Sequence, residues 1–369
     1  MNKAVGIMIS HDASICIVED GEIKSIMQEE RCSRAKHDVY PSKAYQTLFG
    51  DNFPSSELLN IEFGFTGIKY WPVNDLAQDF HLSFEQEVYS FISFVINKCS
   101  DLHTKKIKME EKDTAAWNTK WHGTRYDEHH TFHAFSGFYN SGFKDAAVLV
   151  VDGMGNPSTI DSENHEVASI YSVEYPAKIV CHSKQETPKH HADSMKERHS
   201  HTKWPMGIGM VYSSIAAYCG FGQLGSGKIM GLASYGKEDP NIKPFVFDNY
   251  EINSRLFYRT HDGCIFIDYD YLPRDWDYRN WNEDVQKIAN LCWRLQKDFE
   301  RWMTKAILDT LEITGKKNIV LSGGCAMNCV ANYEYLKHLP EGVKLFVDPL
   351  CEDAGISVGL AQYLYWSNQ

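Results

Sequence analysis

Apolar and polar positions come in short blocks at the N-terminus: AVGIMI, then the polar SHDAS, then ICIVEDGEIKSIM. This pattern predicts a strand, a tight turn, a second strand, an Asp-Gly turn and a third strand. A similar block recurs mid-chain, where AAVLVVDGMGNPSTIDSENHEVASIYSV gives an apolar strand, an Asp-bearing Gly-rich turn and a hairpin. The first turn carries Asp12 in one copy and Asp152 in the other. Two such units separated by helical sequence predict an α/β fold of duplicated subdomains with a cleft between them. Chance likeness of two hairpins is the plainer reading of the same blocks.

Helical spacing of apolar positions marks residues 84–99 (FEQEVYSFISFVINKC) and 129–143 (HHTFHAFSGFYNSGF) as helices. A long amphipathic helix is predicted from Val285 to its stop at Gly315, followed by the strand NIVLSGG. The strand KLFVDP, a turn and the helix AGISVGLAQYLYW close the sequence. The stretch from His182 to His201 has almost no apolar content and reads as a surface loop, part of a His-rich insertion at about 182–204. With no linker rich in Pro or Ser, the expected division is 1–145 and 146–369.

Composition narrows the class. The 369 residues are 43% hydrophobic and 23% charged, as in a folded globular chain. The 37 Lys and Arg against 49 Asp and Glu leave a net charge of −12, so a nucleic-acid partner is not expected. Apolar runs are too short for a bilayer, and Asp12 interrupts the stretch where a signal peptide would continue. A cytoplasmic setting with no membrane partner follows as an expectation. Ten cysteines without a CxxC pair read as reduced, small core residues, and Cys325 and Cys329, four apart, lack the second pair of a zinc knuckle.

Ten of the 16 histidines fall between His122 and His201. His129 and His133, one turn apart on a predicted helix, present both imidazoles on one face, a spacing suited to a transition metal. His130 should point away and serve structure. Asp353, between a strand and a helix, is the candidate third ligand. Gly222 to Lys228 (GQLGSGK) has the spacing of a phosphate loop, but Ile229 replaces the hydroxyl residue and a helix precedes it, so that reading fails. Lys228 stays a candidate for contacting an anion. Ser322, Gly323 and Gly324 form a βα turn that admits a flat or phosphorylated ligand. Asp152, Gly153 and Gly155 make a turn whose amides could hold phosphate.

Seven segments in this order, HDASICIVEDGEI, EERCSRAKHD, HHTFHAFSGFYNSGF, VLVVDGMG, GIGMVYSSIAAYCGFGQLGSGKIMGLASYGK, LSGGCAMNCVANYEYLK and DPLCEDAGISVGLA, resemble the NodU/CmcH type of O-carbamoyltransferase nearly end to end. The resemblance implies an actin/sugar-kinase-like (ribonuclease H-like) fold related to the tRNA threonylcarbamoyl transferase. It implies transfer of a carbamoyl group from carbamoyladenylate, made from ATP and carbamoyl phosphate, to a hydroxyl of a small-molecule acceptor, with release of AMP. On it, His129, His133 and Asp353 match metal ligands, commonly for iron, with Mn, Mg or Zn as alternatives. Asp152, Gly153 and Gly155, with Lys228, Gly323, Gly324 and Asn328, match nucleotide-binding positions. His11, Asp12 and Lys36 match the catalytic amino-terminal motifs. Members of the family usually continue into a YrdC-like activating domain that nothing in this sequence resembles, so either a separate YrdC-like protein is a partner, or the sequence is a fragment, or the domain has been put to another use, the first two being preferred; a homodimer is a further candidate assembly. A tRNA-modifying transferase and a nucleotide-binding regulatory module are the competing readings.

Overall fold

The computed structural model describes residues 3–8, 11–38, 41–49, 61–66, 129–155, 164–188, 206–259, 265–267 and 281–367. The helix expected over 84–99 lies outside these residues. The chain divides into two compact units: Met1–Lys144 with Val173–Ile179 and Asp348–Gln369, and Asp145–Ser172 with Val180–Val347. The expected subdomain 146–369 therefore does not hold together. The C-terminal helix (Ile356–Trp366) is apolar around most of its circumference, and it buries that surface within the first unit.

In the first unit, β1 (Lys3–Met8), β2 (Ser14–Glu19) and β3 (Glu22–Gln28) form the predicted antiparallel meander. Asp20 and Gly21 both take positive φ, 53° and 80°, as the tight β2–β3 turn requires. Two short helices follow, α1 (Glu29–Ser33) and α2 (Ser42–Phe49). β4 (Ile61–Thr66) then pairs parallel with β1, giving the order β3-β2-β1-β4. Helix α3 (His129–Ser141) packs against the C-terminal helix, which lies on β1, β2 and β4. These contacts are close. A Cβ on Gly359 would stand 1.8 Å from the Phe132 carbonyl oxygen, and one on Gly6 would stand 2.1 Å from that of Ser357. The core between them holds Ala4, Met8, Cys16, Val18, Phe132, Val358 and Leu360, and each large side chain so buried stabilises the fold by about 1.5–3 kcal/mol.

In the second unit, β5 (Asp145–Val151), β6 (Asn164–Glu174) and β7 (Lys178–Pro188) form the second copy of the strand-turn-hairpin block. Helix α4 (Ile208–Tyr218) and α5 (Ser226–Ala233) follow, then the small pair β8 (Phe257–Arg259) and β9 (Ile265–Ile267). Helix α6 (Trp281–Thr314) ends where Gly315 turns left-handed at φ 66°. β10 (Asn318–Ser322), α7 (Cys329–Tyr335) and β11 (Lys344–Val347) complete it. The order β11-β10-β5-β6-β7 repeats the first sheet's logic: three consecutive strands with a later, parallel strand beside the first. That shared order supports duplication over chance likeness.

Two expectations need correction. The loop predicted from His182 is strand as far as Pro188; β7 ends the sheet, and an edge strand keeps polar residues in solvent while Thr187 turns inward. Residues 189–205 lie outside the described part. The cysteines are also not all core residues: Cys16, Cys219, Cys292, Cys325 and Cys351 are buried, but Cys181 and Cys329 are exposed.

Candidate active site and metal centre

Helix α3 opens with His129, and the four-residue spacing brings His133 onto the same face, with ring centroids 4.9 Å apart. Both are buried, His133 completely. Asp353 begins a short 3₁₀ turn ahead of the C-terminal helix, and its Oδ1 lies 3.7 Å from Nε2 of His129 and 3.6 Å from Nε2 of His133. Each of the three offers a ligand atom within 4.8 Å of the others. Ligand atoms around one ion at ordinary bond lengths are about 3–3.6 Å apart, so the set needs little closure to hold a cation.

The fit can be tested on His133. Neither of its ring nitrogens has a hydrogen-bond partner among the described residues, although the ring is inaccessible to water. A buried imidazole left so is costly, and a metal bond at Nε2, the nitrogen that faces Asp353, would remove that nitrogen's share of the cost. Two imidazoles and a carboxylate suit iron, manganese or zinc better than magnesium, which prefers an all-oxygen shell. His130 is equally buried but offers no atom to this group, as its place on the helix predicts.

On the outer side of Asp353 stands His11, whose Nε2 is 3.4 Å from the carboxylate's Oδ2. Its Nδ1 lies 2.8 Å from Oδ2 of Asp12. Burial pushes the Asp12 carboxyl up, but hydrogen bonding and charge from His11, and then from His37, outweigh it and hold the group below its ordinary value. Lys36 is exposed on the loop after α1. The next residue, His37, reaches back instead and places Nδ1 2.7 Å from Oδ1 of Asp12. Sequence reading missed His37; its position within EERCSRAKHD, directly after Lys36, was the available signal. It also missed Ser14, whose hydroxyl donates to the Ala354 carbonyl at 2.8 Å and fixes the turn that carries Asp353.

The glycine turns lie in the second unit, after β5 and β10. The amide of Gly153 donates to Oδ1 of Asp152 at 2.7 Å, and that of Gly324 to the same oxygen at 3.3 Å. The Gly155 amide donates to the Glu166 carbonyl at 2.8 Å. These amides thus hold the two turns to each other and to the sheet. Gly323, at φ 85°, has no room for a side chain, since a Cβ would stand 2.5 Å from the Val151 carbonyl oxygen. Gly209 at the start of α4 is a further close contact, 2.6 Å from the Asp152 carbonyl oxygen by the same measure. The side chain of Asn328 is committed to structure: Oδ1 accepts from the Ala331 amide and from Nε2 of Gln296, and Nδ2 donates to Gln296 Oε1 at 2.9 Å. Lys228 is exposed in α5, its ammonium 5.3 Å from the centre of the Phe221 ring, and helix α4 precedes its loop as expected.

Comparison with known proteins adds the family. Residues 3–362 match the family model described as carbamoyltransferase N-terminus. The nodulation protein NolNO of Sinorhizobium fredii is 27% identical, over 97% of this chain and 46% of its own length. The nodulation protein NolO of Bradyrhizobium diazoefficiens is 28% identical, over 63% of this chain and 37% of its own. The chain spans about half the length of the curated relatives it matches. Among solved structures, T. kodakarensis HypF superposes with a TM-score of 0.51 at 12% identity, over all of this chain and 48% of that one. The fold is the α/β, actin/sugar-kinase-like one. Among the described residues no helix is long and apolar enough to cross a membrane.

Proposed function

Because this chain belongs to the carbamoyltransferase family, we propose that it moves a carbamoyl group from carbamoyladenylate to a hydroxyl of a small-molecule acceptor. The observation that carries the reading is the buried set His129, His133 and Asp353, with both ring nitrogens of His133 lacking a hydrogen-bond partner among the described residues.

In this reaction the acceptor oxygen attacks the carbamoyl carbon, the bond from that carbon to the adenylate phosphate oxygen breaks, and AMP leaves with its electron pair. The hydroxyl proton must go to a base. A carbamoyl carbonyl is a weak electrophile because its nitrogen feeds electron density into it. A cation held by His129, His133 and Asp353 would supply Lewis acidity to offset this. His11 takes the hydroxyl proton at Nε2. Its Nδ1 is held by Asp12, which leaves Nε2 as the nitrogen to take the proton, and the Asp353 carboxylate 3.4 Å from Nε2 favours the imidazolium that forms. Lys36 supplies positive charge toward the phosphate or the carbamoyl oxygen. In the second unit, the turns after β5 and β10, with Asp152, Gly153, Gly155, Gly323 and Gly324, hold the adenylate. Asn328 shapes the second of these turns, and Lys228 offers charge to an anion.

The donor itself would be formed from ATP and carbamoyl phosphate, and a YrdC-like protein is the partner suited to that step. The test is incubation of the metal-loaded chain with synthetic carbamoyladenylate and a panel of sugars, nucleosides and hydroxylated natural products. Acceptor-dependent AMP release with a matching carbamoylated product is expected. No binding of metal or adenylate at micromolar concentrations overturns the reading.

A further inference from the structure

We propose that His37 is a positioning residue of this site, acting on His11 through Asp12; the assignment rests on the reading of His11 given above. A carboxylate has two oxygens, and Asp12 presents one to each of two imidazoles. Oδ2 meets Nδ1 of His11 at 2.8 Å, and Oδ1 meets Nδ1 of His37 at 2.7 Å. The two rings stand edge-on, 6.5 Å apart with 82° between their planes. Since Asp12 accepts from both, each Nδ1 carries its proton, and the Nε2 of His11 is turned toward Asp353, 3.4 Å away.

The second contact decides how firmly the first is held. The terminal torsion of an aspartate is broad and soft, so a carboxylate gripped at one oxygen can still swing. Gripped at both, it cannot. His11 is about one-third exposed and lies on a turn, where Asp12 itself takes a left-handed φ of 67°. Asp12 and Asp353 each meet one nitrogen of the ring, and the Asp12 contact, the shorter of the two, is the one that His37 can fix. His37 is well placed to do so because its own backbone is anchored: it adopts φ 55°, and its amide donates to the Glu30 carboxylate at 3.3 Å. Glu30 belongs to α1, so the loop after that helix delivers an imidazole to a turn far away in sequence. Partners that orient a site residue through a hydrogen bond commonly affect activity 10- to 100-fold.

Two readouts separate this role from the function it serves. The first is the ring ¹⁵N spectrum of His11 in the zinc-loaded chain, which reports tautomer and hydrogen bonding without any substrate. The His37→Ala variant should shift or broaden the His11 signals, and His37→Asn, which keeps a short donor, should restore them. The second is transfer from carbamoyladenylate: His37→Ala should lower kcat about 10- to 100-fold with KM for the donor within about twofold, and His37→Asn should recover most of the loss. Unchanged His11 signals in His37→Ala overturn the proposal, as does a His37→Asn variant no better than alanine by either measure. If no acceptor is carbamoylated by any form of the chain, the proposed function falls, while the nitrogen shifts still decide whether His37 positions His11.

Discussion

Oδ1 of Asp353 lies 3.6 Å from Nε2 of His133, a carboxylate and an imidazole brought together because the C-terminal helix packs on α3. On the proposed reading, replacing any one of His129, His133 and Asp353 with alanine removes one of three ligands, so metal retained after dialysis should fall to near background in each of these variants. His130→Ala should keep a full equivalent, because His130 shares the burial of its neighbours without joining the ligand set. Elemental analysis of the four variants checks this, and equal loss in all four contradicts the assignment.

The same helix packing can be probed through glycines. Gly359→Ala and Gly6→Ala each push a methyl against a backbone carbonyl, at 1.8 and 2.1 Å, and neither oxygen can withdraw without moving a helix. A loss of about 1–3 kcal/mol each is expected as a lower urea midpoint. Gly227→Ala in α5 meets nothing within 4 Å and should be neutral or gain about 0.5–1 kcal/mol.

Glu29 gives a pH signature. Burial pushes its carboxyl up, although it accepts the amides of Lys43 at 3.1 Å and Ala44 at 2.7 Å. The folded chain therefore keeps this proton to higher pH than the unfolded one. Its contribution to stability is fully present below the unfolded value, about 4.3, and is lost as pH rises through the folded one. Urea midpoints measured from about pH 4 to 6 should fall less steeply with rising pH in Glu29→Gln than in the parent chain.

Thiol labelling should sort the described cysteines. Burial pushes the Cys16 thiol up to about 12, so it should resist alkylation until the chain unfolds. Exposed Cys329 and Cys181 should label in the native state, and peptide mapping identifies them.

Much of this was legible because periodicity and turn chemistry are local. The Asp20–Gly21 turn, the end of α6 at Gly315 and the shared face of His129 and His133 each follow from a few neighbouring residues. What escaped depends on distant chain. A composition poor in apolar residues hid the strand through His182, since an edge strand needs few of them. That His37 rather than Lys36 faces Asp12 depends on a loop with left-handed residues at Arg34 and His37, which no local pattern announces. The placing of Asp348–Gln369 in the first unit depends on long-range packing that no sequence window contains.

That last arrangement sets an order on synthesis. The N-terminal strands emerge from the ribosome long before the helix that covers them, while every segment of the second unit has been made by Val347. The nascent first sheet must therefore wait with an apolar face uncovered, exposed to chaperones or to mispairing, and Asp353 can join His129 and His133 only after nearly all of these residues have been translated.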